Sequence, residues 1–156
     1  MRSRSLKAHR GTTVYIDAGN PGWIQRPTRL ALALRQAGIA KADGFSLNVS
    51  NFYSTAQTER YGRALSRSLG GKHFVIDTGR NGNGAPPRTS GGAPSWCNPP
   101  GRALGVKPTT HTGVPLVDAF LWIKVPGESD GACRPGAPPA GEWWPSYALE
   151  LVRNAG

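Results

Sequence analysis

Lys124, Glu128 and Asp130 fall within seven residues of one another in the stretch Leu121–Gly131 (LWIKVPGESDG), in a chain that has only nine acidic residues. Two carboxylates and an ammonium at the end of one apolar run can move protons or bind hydroxyl groups. The same residues could equally be a solvated turn with a local ion pair, which contributes little. Three other segments, however, end in the same way. Asp17 and Asn20 follow TTVYIDA, Asn48 and Asn51 follow GFSLNV, and Asp77 and Arg80 follow HFVI.

The segments carrying these residues alternate between two periodicities. Thr12–Ala18 is rich in β-branched residues and is stopped by Gly19, Pro21 and Gly22, which predicts a strand. Pro27–Ala37 places Leu30, Leu34 and Ala37 on one helical face, with Gly38 as its C-cap. Gly44–Val49 reads as a second strand. Ser54 and Gln57 fit a capping box that opens a helix with Tyr61, Leu65 and Leu69 on one side, ended by Gly70-Gly71. His73–Ile76 is a third strand with no comparable helix after it. Phe120–Ile123 reads as a strand buried on both faces. Pro145 starts a last helix with Tyr147, Ala148, Leu151 and Val152 on one side.

Strands alternating with helices predict right-handed crossovers and a parallel sheet, doubly wound or closed as a barrel. Ligands of such folds bind at the carboxyl ends of the strands, where all four segments place their polar residues.

Between Gly79 and Pro115 the chain is crowded with Gly and Pro and is too long for an ordinary connection, so it is either disordered or functional. Trp96, Cys97 and Asn98 in its middle favour function, because disordered segments are poor in aromatics. Cys97 and Cys133 are the only cysteines, which excludes a four-cysteine metal site. His9, His73 and His111 show no ligand spacing, and nothing in the chain calls for a metal or a cofactor. A bridge between the two cysteines would close a loop of about 37 residues and contribute about 4 kcal/mol, and two free thiols are the alternative.

Nineteen Lys plus Arg against nine Asp plus Glu give a net charge of +10, which raises nucleic acid as a partner. The distribution argues against it: Arg2, Arg4, Lys7 and Arg10 sit in a leader, Arg60, Arg63 and Arg67 share one helix face, and the rest are scattered. No apolar run reaches the roughly 18 residues needed to span a bilayer, so no membrane is expected. The start, MRSRSLKAHRG, lacks the apolar stretch of a signal peptide. Residues 1–11 are expected to be a basic leader, disordered or not native to the fold.

The NGNG at Asn81–Gly84 lacks the Lys-Ser/Thr of a phosphate loop, and there is no Gly-x-Ser-x-Gly elbow. What remains is a site of carboxylates, amides, a lysine and tryptophans. Sugars need that mixture, with flat ring faces on indoles and hydroxyls on Asp, Glu, Asn and Lys. Trp23 and Trp96 stand in turns just past strand ends among Gly, Pro and Asn and are expected to stack on a ligand, whereas Trp122 and Trp144 are expected in the core.

The stretches VYIDAGNPGW, ADGFSLNVSNF, KHFVIDTGRNGNG, WCNPPGRALG, LWIKVPGESDG and AGEWWPSYALEL resemble, in order, the later part of the family 6 glycoside hydrolases. That family comprises cellulases, both endoglucanases and cellobiohydrolases. The resemblance implies a distorted α/β barrel, here incomplete, in a secreted protein that hydrolyses β-1,4-glucan (cellulose, cello-oligosaccharides) with inversion. It implies that residues 12–156 are the C-terminal part of a catalytic domain. By motif, Asp130 matches the proposed base and Asp17 a supporting active-site aspartate. Trp23, Trp96, Lys124 and Glu128 match sugar-binding positions, to which the strand-end amides Asn20, Asn48 and Asn51 are added. Cys97 and Cys133 match a disulfide. Asn20 stands where the family commonly has histidine, and no aspartate here matches the proton donor, so hydrolysis is expected to need a portion preceding this one. The alternative is a glucan-binding fragment without catalysis.

Overall fold

The structure, a computed structural model, describes residues 6–87 and 94–156. Its centre is a parallel sheet of four strands, β1 (Tyr15–Asp17), β2 (Gly44–Leu47), β3 (His73–Asp77) and β4 (Val117–Leu121), in the spatial order β1-β2-β3-β4. Helix α1 (Pro27–Gln36) follows β1, helix α2 (Thr55–Ser68) follows β2, and helix α3 (Pro145–Arg153) closes the chain. The sheet is open, so the architecture is an incomplete α/β barrel with long Gly/Pro-rich loops after β3 and β4.

Each helix forms where its sequence gives it a defined start. Pro27 and Pro145 stand in the first turns of α1 and α3, where the fixed φ suits the helix and the missing N–H costs nothing. Ser54 caps α2 by accepting from the Gln57 amide, and the Gln57 side chain accepts from the Ser54 amide in return. α1 ends at Ala37, and Gly38 takes the left-handed conformation (φ 89°) that an L side chain adopts only with strain.

One face of the sheet is apolar. Ile16, Phe45, Phe74 and Val117 align across the four strands, and with Leu47, Ile76 and Phe120 they pack against Leu30, Leu34, Tyr61 and Leu65 of the helices. Phe45 and Phe74 stack at 5.1 Å. The other face begins with polar groups. The Tyr15 hydroxyl donates to Asp118 at 2.6 Å, and His73 Nδ1 lies 2.7 Å from the same carboxylate. Tyr15 passes over Gly44 on its way, and a Cβ at Gly44 would run into the His73 carbonyl.

The fourth strand departs from expectation. It lies earlier, at Val117–Leu121, at an edge of the sheet, with Ala119 and Phe120 buried on its two faces. A register shift between Phe74 and Val75 sets its pairing with β3, and an antiparallel bridge from Thr109 to Phe120 covers its outer side. Leu121 pairs with Asp77 as the last residue in register, after which the chain leaves the sheet and Ile123 is exposed. Trp122 is therefore half-buried and not in the core, with its indole N–H donating to the Val106 carbonyl at 3.0 Å. Trp144 is likewise half-buried, stacked on Tyr147 at 5.4 Å.

The described part of the long loop is tied to the fold by backbone hydrogen bonds, Gly105 to Thr78, Gly82 to Ala103 and Leu104 to Leu151. Near the start of the described chain, Lys7 Nζ lies 2.8 Å from Asp43. Among the described residues no helix is long and apolar enough to cross a membrane, and no cluster of His, Cys, Asp or Glu could hold a metal.

Candidate active site

Parallel strands deliver Asp17, Asn48, Asp77 and the Trp122–Asp130 turn to the same end of the sheet. Asp77, at the end of β3, is enclosed. Its carboxylate accepts from the backbone amides of Ser50, Gly79 and Lys124 at 3.0 Å each, binding together the loops that follow β2, β3 and β4. Burial pushes its pKa up from the ordinary carboxylate value, against the pull of those amides and of Arg80.

Arg80 is buried and crosses above this knot. Its two terminal nitrogens reach the two oxygens of Asp130 at 2.8 and 2.9 Å, a bidentate pair, and one of them also donates to the Ser50 carbonyl. The guanidinium lies 4.6 Å above the Phe52 ring. Asp130 also receives the Asn98 amide at 3.0 Å, while its own N–H donates to Asn98 Oδ1 at 2.7 Å. A carboxylate offers about four lone-pair positions. The three donors from Arg80 and Asn98 leave one to accept from a water or a hydroxyl.

Cys97 and Cys133 form a disulfide with their Cα atoms 6.4 Å apart. Beside the bridge, Asn98 Nδ2 donates to the Gly131 carbonyl, and Arg134 Nε donates to the Cys97 carbonyl. The Trp96 loop is thereby fastened to the Asp130 turn by a covalent bond and by the Asn98–Asp130 exchange. Lys124 Nζ lies 3.2 Å from Glu128, an i,i+4 pair at the same strand end.

A cleft of about 460 Å³ opens alongside, lined by Asn20, Gly22, Trp23, Asn51, Tyr53, Ala85, Pro86, Ser95 and Trp96. Four expected sugar-binding residues, Asn20, Trp23, Asn51 and Trp96, thus share one cavity. Both indoles are more than half exposed, at 69% and 54%, so their faces are available to a ligand and are not used by the core. A flat sugar ring needs such surfaces, and the amides of Asn20 and Asn51 supply donors and acceptors between them.

The remaining expected residues are placed differently. Lys124, Glu128 and Asp130 do not line this cleft. Asp17 ends the edge strand β1, with two strands between it and β4, and is exposed, with its carboxylate accepting from Gly19 N–H at 2.9 Å. Asn48 is fully buried. Its amide donates to the carbonyls of Tyr53 and Asp77, and its oxygen accepts from Tyr53 N–H, so it shapes the loop after β2 and offers nothing to a ligand. Arg80, Asp77 and Asn98 are the residues that sequence reasoning left out of the site. The first two carried a signal as polar strand-end residues, but Asn98 showed none beyond its position next to Cys97.

A parallel sheet whose carboxyl end carries an ion-paired aspartate beside a tryptophan-walled, amide-lined cleft defines an α/β protein of the open-barrel kind. The chain belongs to Glycosyl hydrolases family 6, whose family profile matches residues 3–155. It is 51% identical over 154 residues to Endoglucanase A of Cellulomonas fimi, covering 99% of this chain and 32% of that protein. To 1,4-beta-D-glucan cellobiohydrolase C of Aspergillus terreus, a probable assignment there, it is 35% identical, covering 91% of this chain and 39% of that one. The endoglucanase Cel6 of Mycobacterium tuberculosis, solved in complex with a methyl-cellobiosyl thio-cellobioside, superposes with a TM-score of 0.91 at 47% identity. That alignment covers 99% of this chain and 51% of the solved one. The chain therefore spans about a third to two-fifths of the curated relatives' length and half of the solved enzyme.

Proposed function

We propose that this chain forms the base side of an inverting hydrolase of β-1,4-glucosidic bonds in cellulose and acts together with a portion that supplies the proton donor. The observation that carries the reading is the cleft between Trp23 and Trp96, held by the disulfide and Asn98 against the Asp130 turn. Inversion needs a carboxylic acid on the leaving oxygen and a carboxylate that activates water from the opposite face. Asp130 is the base in this reading. Arg80 fixes its plane through two parallel hydrogen bonds and leaves one lone-pair position for the water. Lys124 and Glu128 bind sugar hydroxyls beside it, Trp23 and Trp96 stack on glucose rings, and Asn20 and Asn51 bind hydroxyls between the two indoles.

Asp17 supports the site and does not act as the acid. It is open to solvent at the edge of the sheet, and its carboxylate accepts from the N–H of Gly19 in its own turn. General acid catalysis typically supplies about 100- to 10,000-fold, and an alkoxide leaving group cannot forgo it. The specific observation favouring a glucan-binding fragment, the second reading, is this want of a donor beside an intact cleft. A structural disulfide is in keeping with an extracellular location.

The purified chain is expected to bind cello-oligosaccharides and to release no sugar from soluble cellulose until the family's N-terminal portion is added in trans. Robust release by the chain alone would show that the donor lies within it. Absence of binding would overturn the site itself. Trp23→Ala and Trp96→Ala should each weaken cello-oligosaccharide binding by roughly tenfold, the scale of one aromatic stacking contact. Trp122→Ala at equal folded fraction should not, and equal losses in calorimetric titration would reject the stacking roles.

A further inference from the structure

The cleft does not end at Trp23. On the far side of that indole a second recess of about 440 Å³ is lined by Trp23, Ile24, Gln25, Arg26 and Arg29. A third contains Gln25, Gln57 and Arg60 and shares Gly22, Tyr53, Ala85 and Pro86 with the main cleft. The three recesses thus run into one another around Trp23 and Gln25. Among the described residues no aspartate or glutamate lines any of them, while Arg26, Arg29 and Arg60 fringe the outer end.

Among the described residues, the side chains of those arginines enter no ion pair; the pairs there are Lys7–Asp43, His73–Asp118, Arg80–Asp130 and Lys124–Glu128. Arg26 and Arg29 are both exposed. Arg26 is the N-cap residue of α1 and Arg29 lies in its first turn, and both line the recess beside Trp23. Gathering like charges on a chain that already carries +10 costs stability through mutual repulsion. A guanidinium fork is shaped to receive a carboxylate in two parallel hydrogen bonds. The exposed indole of Trp23 next to it asks for a sugar ring.

We infer that the outer end of the cleft binds an acidic glucan, one whose units carry carboxylates in place of the C6 hydroxymethyl groups. Trp23 stacks on a ring while Arg26, Arg29 and Arg60 pair with carboxylates along the chain. The inference rests on the glucan reading above and extends it from a neutral to a charged substrate.

The test compares two probes titrated into the chain, cellotetraose and its C6-oxidised form, at low and at about 0.5 M salt, where the Debye length shrinks to a few ångströms. The oxidised form should bind about tenfold more tightly at low salt. That preference should vanish at high salt and in R26Q/R29Q/R60Q, with cellotetraose binding unchanged in the variant. Trp23→Ala should weaken both ligands. Equal affinities for the two probes, or a preference that survives in the triple variant, would overturn the inference while leaving the neutral glucan site standing. Failure of cellotetraose alone would sink the neutral reading instead. Failure of both probes would overturn the two together. Competition by polyphosphate as strong as by the oxidised ligand, combined with indifference to Trp23→Ala, would show a polyanion surface with no sugar recognition and would also overturn it.

Discussion

Arg80 has its side chain 1% exposed and Asp130 7%, so their pairing takes place almost out of water. Removing one partner from such a pair typically costs about 3–5 kcal/mol, because the survivor is left as an uncompensated buried charge. Arg80→Met should therefore destabilise the chain by that amount in urea unfolding, and adding Asp130→Asn should recover part of the loss. If the double variant is no more stable than the single one, the pair is not what holds this corner. Asp77 has the opposite character, since burial raises its pKa above the ordinary value of 3.8. Its native state binds the proton more tightly than the unfolded chain does. Its contribution to stability is then fully present below pH 3.8 and is lost as the pH rises through the native pKa. Asp77→Asn removes one of three acceptor positions and should cost about 1–3 kcal/mol at neutral pH. The gap to the parent should widen as the pH falls from the native pKa towards 3.8. A gap that narrowed over that range would contradict the direction of the shift.

At the scale of elements, α2 is the piece whose fit is set most tightly. Gly62 faces the sheet, and a Cβ there would overlap the Phe74 ring and come within 3.0 Å of Leu47. On helix propensity alone Gly62→Ala would gain about 1 kcal/mol. Overpacking against a rigid aromatic costs about 1–3 kcal/mol, so the variant should be less stable than the parent. A thermal melt showing a gain would mean that the helix shifts away from β3 without strain. At the N-terminus of the same helix, Ser54→Ala removes the capping box and should cost about 1 kcal/mol, with no effect on the cleft.

Across the whole molecule, the disulfide joins segments 36 residues apart and carries the Trp96 loop. Reduction should lower the unfolding free energy by about 4 kcal/mol in the chain-entropy picture. It should also weaken cello-oligosaccharide binding, because the Asn98–Asp130 exchange alone must then hold Trp96 in place. Unchanged binding after reduction, at a temperature where the chain stays folded, would show that the loop does not depend on the bridge. The sheet's two edges are also unequal. β4 is covered by the Thr109 bridge, whereas β1 pairs on one side only among the described residues. Such an edge invites pairing with another chain unless something covers it.

Local rules were enough for much of this. The capping box at Ser54–Gln57, Gly38 just past α1, Pro27 and Pro145 inside their helices, and the parallel order of β1 to β3 all follow from nearest neighbours and periodicity. The placement of Trp23, Asn20, Asn51 and Trp96 in one cleft was legible because polar residues and indoles collected just past strand ends. What escaped depended on contacts between distant segments. Phe120–Ile123 looks like a buried strand by composition, but the register shift beside Phe74 and the Thr109 bridge move the pairing to Val117–Leu121 and leave Trp122 half-buried. Asn48 looks like any other strand-end amide, and only the approach of the Tyr53 and Asp77 carbonyls turns it inward. Arg80 and Asp130 are 50 residues apart, and so are joined only by the fold. Sequence thus determined which residues are polar at which strand end. The burial that decides which of them meet water, and which meet each other, arose from tertiary packing, because solvent exclusion depends on every segment at once.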